Sequence, residues 1–264
     1  MNTFSKEVFL DFARSQNFVF DSSKIVSCSL YEKDVYGTIP YYTDFRPDTK
    51  FEQLVIENNP YISSVMEVFG GESVDALDLH KSIKKLDVYS IDIDNYFKKH
   101  KGITYIKGDC INKKYKKTDL IFVGSKPSIN NFSLEQIKKF LHNAHSSLNE
   151  KGFLIISLNQ VNKLFNTLQF NYNSGYTAGK YHVAYVGGLY DNPITSRQEL
   201  YDLVLLYQDA HLEKFVKGYF LGEHSNNMLS FDVLQFLAEE EGFVYEPYYN
   251  NYYGLGKYVF SRRN

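Results

Sequence analysis

Glu67 is the one charged residue in the apolar run Val65-Met66-Glu67-Val68, which leads straight into Phe69-Gly70-Gly71-Glu72-Ser73. A second apolar run, Val88-Tyr89-Ser90-Ile91, closes on Asp92. A glycine turn after one strand lets a ligand approach the backbone, and a carboxylate closing the next strand accepts hydrogen bonds from ribose hydroxyls. Together, at this separation, they have the geometry of an adenosine-binding α/β fold. A dinucleotide would require G-x-G-x-x-G so that its pyrophosphate could rest on the helix N-terminus. Here Glu72 stands where that anion would lie, and like charges argue against it. A cationic ligand meets no such objection, and Glu67 is placed to anchor an ammonium, directly or through the turn.

The elements that must position these residues are also marked. Ile103 to Ile106 reads as a short strand ending in Gly108-Asp109-Cys110. Asp119 to Gly124 lacks alternation, as a strand buried on both faces should. Leu148 to Leu158 supplies a turn at Gly152 and a further strand. Ser133 with Gln136 forms a capping box ahead of Ile137, Phe140 and Leu141. Ser230 caps a last helix carrying Phe231, Leu234, Phe236 and Leu237, which stops at Gly242. Val244 to Tyr249 and Lys257 to Arg262 read as closing strands, joined through Tyr252, Tyr253 and Gly254.

On these residues the chain resembles the class I S-adenosylmethionine-dependent methyltransferases, over roughly residues 50–160 and the C-terminal stretch. The family's pattern is a first strand ending E/D-x-G-x-G-x-G, an acid after the second, Gly-Asp after the third and L-x-x-G-G before the fifth. The resemblance implies an α/β fold: a doubly wound, mostly parallel seven-stranded sheet of Rossmann-like type, with a substrate-binding insertion after strand 5. It implies S-adenosyl-L-methionine as cofactor and S-adenosyl-L-homocysteine as product. Glu67, Gly70 and Gly71 fall in the methionine-binding turn, Asp92 on the ribose acid and Asp109 on the acceptor of the adenine amino group. Ser125 falls where the active-site loop begins. Phe69 and Ser73 replace glycines of the turn, and Lys151 replaces one of the paired glycines; a Phe at 69 is expected to narrow the ligand's approach.

At 264 residues the chain accommodates one α/β core with a sizeable insertion. The expected division is 1–60, an N-terminal helical and aromatic lid; 61–159, the cofactor-binding core; 160–229, a substrate cap; and 230–264, the helix and strand pair that complete the core. The lid would comprise helices over Phe4 to Phe12 and Thr49 to Asn58, with Tyr41, Tyr42 and Arg46 as substrate contacts between them. In the cap, Lys180 to Gly188 alternates like a strand. Thr195 with Gln198 reads as a second capping box, opening a long helix with the stripe Leu200, Val204, Tyr207, His211 and Phe215. That stripe also serves as a possible homodimer seam.

A net charge of −2 and a pI near 6.4 give no global attraction to nucleic acid or anionic membrane, so neither is expected as a partner. The basic run at Lys113, Lys114, Lys116 and Lys117 reads as a solvated loop ahead of the fourth strand. The N-terminus carries Glu7 and Asp11 and no apolar h-region, the apolar runs are too short to span a bilayer, and two cysteines make no disulfide framework. The expectation is a cytoplasmic protein acting on a small molecule without a metal. Methyl transfer from a sulfonium is a direct displacement that needs alignment and, for an alcohol acceptor, a base. The stretch LGEHSNNMLSFDVLQFLAEEEGF, read as a polar loop running into the last helix, is similar to the G-x-H-x-W-M-Y segment of methyltransferases of bacterial surface-sugar pathways. That similarity implies His224 as general base, with Glu223 and Asn226 orienting it or the substrate. The function expected is methylation of a hydroxyl on a sugar or nucleotide-sugar of surface (capsule) polysaccharide biosynthesis. The alternatives are an amine or tRNA-base acceptor, and a degenerate fold serving as a binding or scaffold subunit.

Overall fold

The computed structural model describes residues 5–28, 48–93, 99–124, 129, 132–158, 169–192, 197–227, 229–250 and 256–263. In chain order the elements are α1 (Lys6–Ser15), β1 (Ile25–Cys28), α2 (Lys50–Asn58), β2 (Ser64–Val68), α3 (Val74–Ser82), β3 (Asp87–Asp92), β4 (Ile103–Lys107), β5 (Thr118–Val123), α4 (Leu134–Ser147) and β6 (Leu148–Ser157). There follow β7 (Gln169–Ala178), β8 (Tyr181–Asn192), β9 (Arg197–Tyr207), β10 (Phe215–Asn227), α5 (Phe231–Glu240), β11 (Phe243–Tyr245), α6 (Pro247–Asn250) and β12 (Lys257–Arg262). They fall into two units, one of Met1–Phe45 with Lys163–Asn226 and a larger one of Arg46–Asn162 with Asn227–Asn264.

The larger unit holds a seven-stranded sheet in the order β11-β12-β6-β5-β2-β3-β4. From β4 through β6 the neighbours are parallel; β12 runs antiparallel to β6, and β11 antiparallel to β12. The chain enters at β2, steps outward to β3 and β4, and returns on the other side of β2 as β5. That reversal is a topological switch point, where open α/β sheets bind ligands beyond the carboxyl ends of their strands. Helices cover both faces. Ile137, Phe140 and Leu141 of α4 and Leu234 and Leu237 of α5 pack on Met66, Val68, Ile121 and Ile156. Phe51, Val55 and Ile56 of α2 and Ala76 and Leu79 of α3 pack on Val65, Leu120, Phe122 and Ile155. Double coverage is why the central strands are apolar at nearly every position. The expected caps are present: Ser133 and Gln136 form a reciprocal capping box, and the Ser230 hydroxyl accepts from the Val233 N–H.

The smaller unit holds a five-stranded sheet in the order β1-β10-β9-β8-β7. Phe9, Leu10 and Ala13 of α1 pack on Ala184, Val186, Leu203, Leu205 and Phe220. The strand expected from Lys180 is present as β8. The long helix expected from Leu200 is not: residues 197–207 form β9, antiparallel to β8 with Leu200 opposite Leu189 and Val204 opposite Tyr185. Tyr201, Leu203, Leu205 and Tyr207 face one core, while Val204 and Leu206 face another. A strand buried on both faces is apolar throughout, so its spacing also fits a helical stripe. His211 lies in the turn after β9, exposed, its backbone N–H bonded to Asp209. The stripe that suggested a homodimer seam is therefore absent.

The N-terminal segment is also arranged differently from a lid spanning 1–60. β1 joins the smaller sheet, parallel to β10, with Ile25 opposite Gly218 and Cys28 opposite Leu221. α2 belongs instead to the larger unit. Pairing between strands so far apart in the chain leaves no local trace in sequence. Tyr41, Tyr42, Arg46, Tyr252, Tyr253 and Gly254 lie outside the described residues.

Candidate active site

Three residues of the turn after β2 have left-handed backbone: Phe69 (φ 56°), Gly71 (φ 50°) and Ser73 (φ 58°). Hydrogen bonds tie the turn to β3. The Gly70 N–H donates to the Ile91 carbonyl at 3.1 Å, and the Gly71 N–H donates to Asp92 Oδ2 at 2.9 Å. Phe69 carries the strain of a left-handed non-glycine, of order 1 kcal/mol or more. Its ring packs against Phe132 and Phe140, with centroids 5.0 and 5.3 Å away, so the side chain that was expected to narrow the ligand's approach is a core contact. At Gly70 the requirement is space. A Cβ there would overlap the Ser90 hydroxyl and lie 3.2 Å from Glu67 Oε2. Gly70→Ala is expected to destabilise the larger unit by about 1–3 kcal/mol, with part of the loss recovered in Gly70→Ala/Ser90→Ala. Denaturant unfolding of the three proteins checks this, and equal stability of Gly70→Ala and wild type would contradict it.

Glu67 lies below the turn, only 2% exposed. Its Oε2 accepts from the Ala76 N–H at 3.3 Å and the Ser90 hydroxyl at 3.2 Å. Ser73, at the N-cap of α3, makes no side-chain cap; its hydroxyl pairs with that of Ser90 at 2.7 Å. Glu67 thus satisfies one orphan N–H of the helix from the preceding strand. Burial first, then the neighbouring Asp75 carboxyl, push Glu67 well above the usual carboxylate range despite these bonds. Of the two routes by which Glu67 was expected to act on a ligand, its burial is compatible with the one through the turn.

Asp92 and Asp109 occupy the carboxyl ends of adjacent strands, and the Gly108 N–H donates to the Asp92 carbonyl at 2.9 Å. Asp109 accepts from the backbone N–H groups of Ile111 and Asn112 at 2.9 and 3.2 Å and from the Asn112 amide at 2.6 Å. Burial raises its carboxyl, but these bonds and Lys113 outweigh that, holding it below its ordinary value. Asp109 is therefore a fixed, ionised acceptor; a carboxylate has about four acceptor positions, so the turn does not exhaust it. Cys110 beside it is no nucleophile, since burial pushes its thiol up to about 12.

Glu67, Gly70, Gly71, Asp92 and Asp109 are thus gathered along the carboxyl ends of β2, β3 and β4, next to the switch point. Ser125 lies outside the described residues. Glu223, His224 and Asn226 lie on β10 in the smaller unit, so the polar loop expected there is a strand; their side chains are outside the description.

Sequence reasoning passed over a buried polar row on the α2/α3 face of the larger sheet. Lys257 donates to both oxygens of Glu52 at 2.9 Å and to the Asp48 carbonyl at 2.7 Å, with Lys257 7% and Glu52 1% exposed. Burial raises Glu52 to about 7 although Lys257 opposes it. Asp75, on the first turn of α3, is buried between Glu52 and Glu67, and its charge raises both. The available signal was a charge on an otherwise apolar face: Glu52 among Phe51, Val55 and Ile56, and Lys257 opening the strand Tyr258-Val259-Phe260.

No protein-family model matches the sequence, and no curated protein matches it. Solved structures do share the fold. The sugar N-methyltransferase KedS8 from Streptoalloteichus sp. ATCC 53650 superposes with a TM-score of 0.67 at 14% identity, over 93% of this chain and 99% of that one. Streptomyces venezuelae DesVI gives 0.65 at 13% identity, over 94% and 100%. CalS10, an amino pentose methyltransferase from Micromonospora echinaspora involved in calicheamicin biosynthesis and solved with S-adenosylmethionine bound, gives 0.63 at 11% identity, over 90% and 98%. The chain therefore has the fold of the class I S-adenosylmethionine-dependent methyltransferases.

Proposed function

We propose that the chain is an S-adenosylmethionine-dependent methyltransferase acting on a sugar or nucleotide-sugar. The observation that carries the reading is the Asp92 carboxylate, held on the Gly71 N–H at the carboxyl end of β3 beside the sheet's switch point. The residues present fit the cofactor. Gly70 and Gly71 offer bare backbone, Asp92 accepts from the ribose, and the ionised Asp109 accepts from the adenine amino group. Glu67, bonded to the Ala76 N–H and the Ser90 hydroxyl, would act on the methionine ammonium through the turn that it braces. When bound, the cofactor supplies an electrophilic methyl group.

The protein must then align the acceptor, exclude water and, for a hydroxyl, remove a proton. His224 is the proposed base, oriented by Glu223 and Asn226, and Tyr41, Tyr42 and Arg46 are the proposed acceptor contacts, with Ser125 beside the cofactor. A hydroxyl of a surface-polysaccharide precursor, used in the cytoplasm, is the acceptor this reading favours. A second reading, an amine acceptor, is favoured by the sugar N-methyltransferase and the amino pentose methyltransferase that share the fold. An amine attacks through its own lone pair and needs no strong base.

Labelled methyl transfer to matched hydroxy- and amino-sugar nucleotides separates the two readings. With a hydroxyl acceptor, His224→Ala is expected to lower kcat by about 10²- to 10⁴-fold while leaving cofactor affinity intact. With an amine acceptor the loss is expected to be only a few-fold. Full activity of His224→Ala on a hydroxyl acceptor would remove His224 from the mechanism.

A further inference from the structure

The turn after β2 is fixed from two sides. On the β3 side the hold is hydrogen bonds from Gly70 and Gly71 to Ile91 and Asp92, and within the turn the Ser73 N–H donates to the Gly70 carbonyl at 2.7 Å. On the α4 side the hold is a side chain. Phe69 has φ 56°, a left-handed conformation that strains a residue bearing a side chain and leaves glycine unstrained. Its ring packs on Phe132 and Phe140, with centroids 5.0 and 5.3 Å away and planes tilted by 41° and 49°. If Phe69 leaves the left-handed region its ring swings out of that contact, so the packing and the shape of the turn stand or fall together. Phe140 is fully buried within α4. Phe132 is only half-buried and lies ahead of the Ser133 cap, its N–H donating to the Ile129 carbonyl at 3.2 Å near the end of the connection from β5 to α4. β5 pairs with β2 on the other side of the switch point, so that connection leaves the sheet at the same carboxyl edge as the turn. The Phe69–Phe132 contact therefore joins two stretches of chain that flank the place where open α/β sheets bind ligands.

We propose that Phe69 is a positioning residue: its ring, held by Phe132, keeps the Gly70–Gly71 turn in the form that receives the cofactor, and Phe132 sets cofactor affinity through it. The inference rests on the methyltransferase reading. A ligand that binds only the held form has an apparent Kd equal to its intrinsic Kd divided by the fraction of molecules in that form. Removing the Phe132 ring removes a contact that opposes the strain at Phe69, and that fraction falls. With glycine at this position there is no strain to oppose, and the same removal has nothing to act on.

A double-mutant cycle in the full chain, read as the Kd for S-adenosylhomocysteine by calorimetry, tests this. Phe132→Ala is expected to weaken binding by about three- to tenfold, the equivalent of one aromatic pair. Phe132→Tyr keeps the ring and should bind within about twofold of wild type. Phe69→Ala keeps the strain and loses the ring, so it should bind more weakly than Phe69→Gly, an order that loss of side-chain volume alone would reverse. Adding Phe132→Ala to Phe69→Gly should change Kd by less than about twofold. Unfolding midpoints on the same preparations identify any variant that does not fold, and Phe132→Ala against Phe132→Tyr decides the matter if a Phe69 variant is among them. Equal Kd for Phe132→Ala and wild type, or as large a loss in the Phe69→Gly background as in wild type, would overturn the inference and leave the cofactor reading standing. Binding by none of the proteins, wild type included, would overturn the cofactor reading and the inference with it.

Discussion

Asp92→Ala is expected to weaken S-adenosylhomocysteine binding by about 10²- to 10⁴-fold. The carboxylate has two tasks that alanine cannot perform. It accepts the Gly71 N–H at 2.9 Å, which fixes the turn against β3, and in the proposed complex it accepts from the ribose hydroxyls. Hydrogen bonds to a charged acceptor contribute about 1.5–3 kcal/mol each, so losing two of them to the ligand accounts for the range. Asp92→Asn keeps one carbonyl oxygen but loses the charge and should fall between alanine and wild type. Because the Gly71 bond joins the turn to the end of β3 at a partly exposed site, the stability loss in Asp92→Ala should be modest, about 1 kcal/mol. Calorimetry and unfolding measured on the same preparations separate the effects. Affinity within threefold of wild type would mean that Asp92 serves only the turn.

The largest stability effect is expected at Lys257. Lys257→Met leaves the Glu52 carboxyl buried without its cation, and breaking a buried pair by removing one partner costs about 3–5 kcal/mol. The pH dependence has a definite sign. Glu52 is already raised to about 7 in the presence of Lys257, and removing the cation raises it further. A carboxyl raised on folding contributes stability that is full below its unfolded value and is lost as pH rises through its folded value. Below pH 7 Glu52 is protonated on folding in both proteins and their pH dependence is shared, so the deficit of Lys257→Met should be smallest and level there and should grow as pH rises above 7. The double variant Glu52→Leu/Lys257→Met removes both charges and should return to wild-type stability or exceed it. Denaturant midpoints at several pH values test all three statements; a Lys257→Met deficit below about 1 kcal/mol at every pH would show that the pair is effectively solvated.

The parts of the molecule legible in sequence are those whose signals are local. The Ser133–Gln136 box and the Ser230 cap are read from hydroxyls a few residues ahead of their partners, and both are present. The arrangement of Glu67, Gly70, Gly71 and Asp92 is legible because a β-turn-α-β unit places them next to one another by its own geometry. β9 misleads because both its faces are buried, so the hydrophobic period that separates strand from helix is missing. β1 is hidden because its partner β10 lies far along the chain. The Phe69 substitution looks like an obstruction in sequence, yet three rings, Phe69, Phe132 and Phe140, make it a packing residue. The Glu52–Lys257 pair joins two charges separated by most of the larger unit, and nothing in either local sequence names the other.

Titration of the purified chain with S-adenosylhomocysteine tests the central claim most directly. Saturable binding with a micromolar Kd, lost in Asp92→Ala, is the predicted result. No binding at millimolar ligand would contradict the account, leaving a methyltransferase fold without its cofactor and favouring a role as a binding or scaffold subunit.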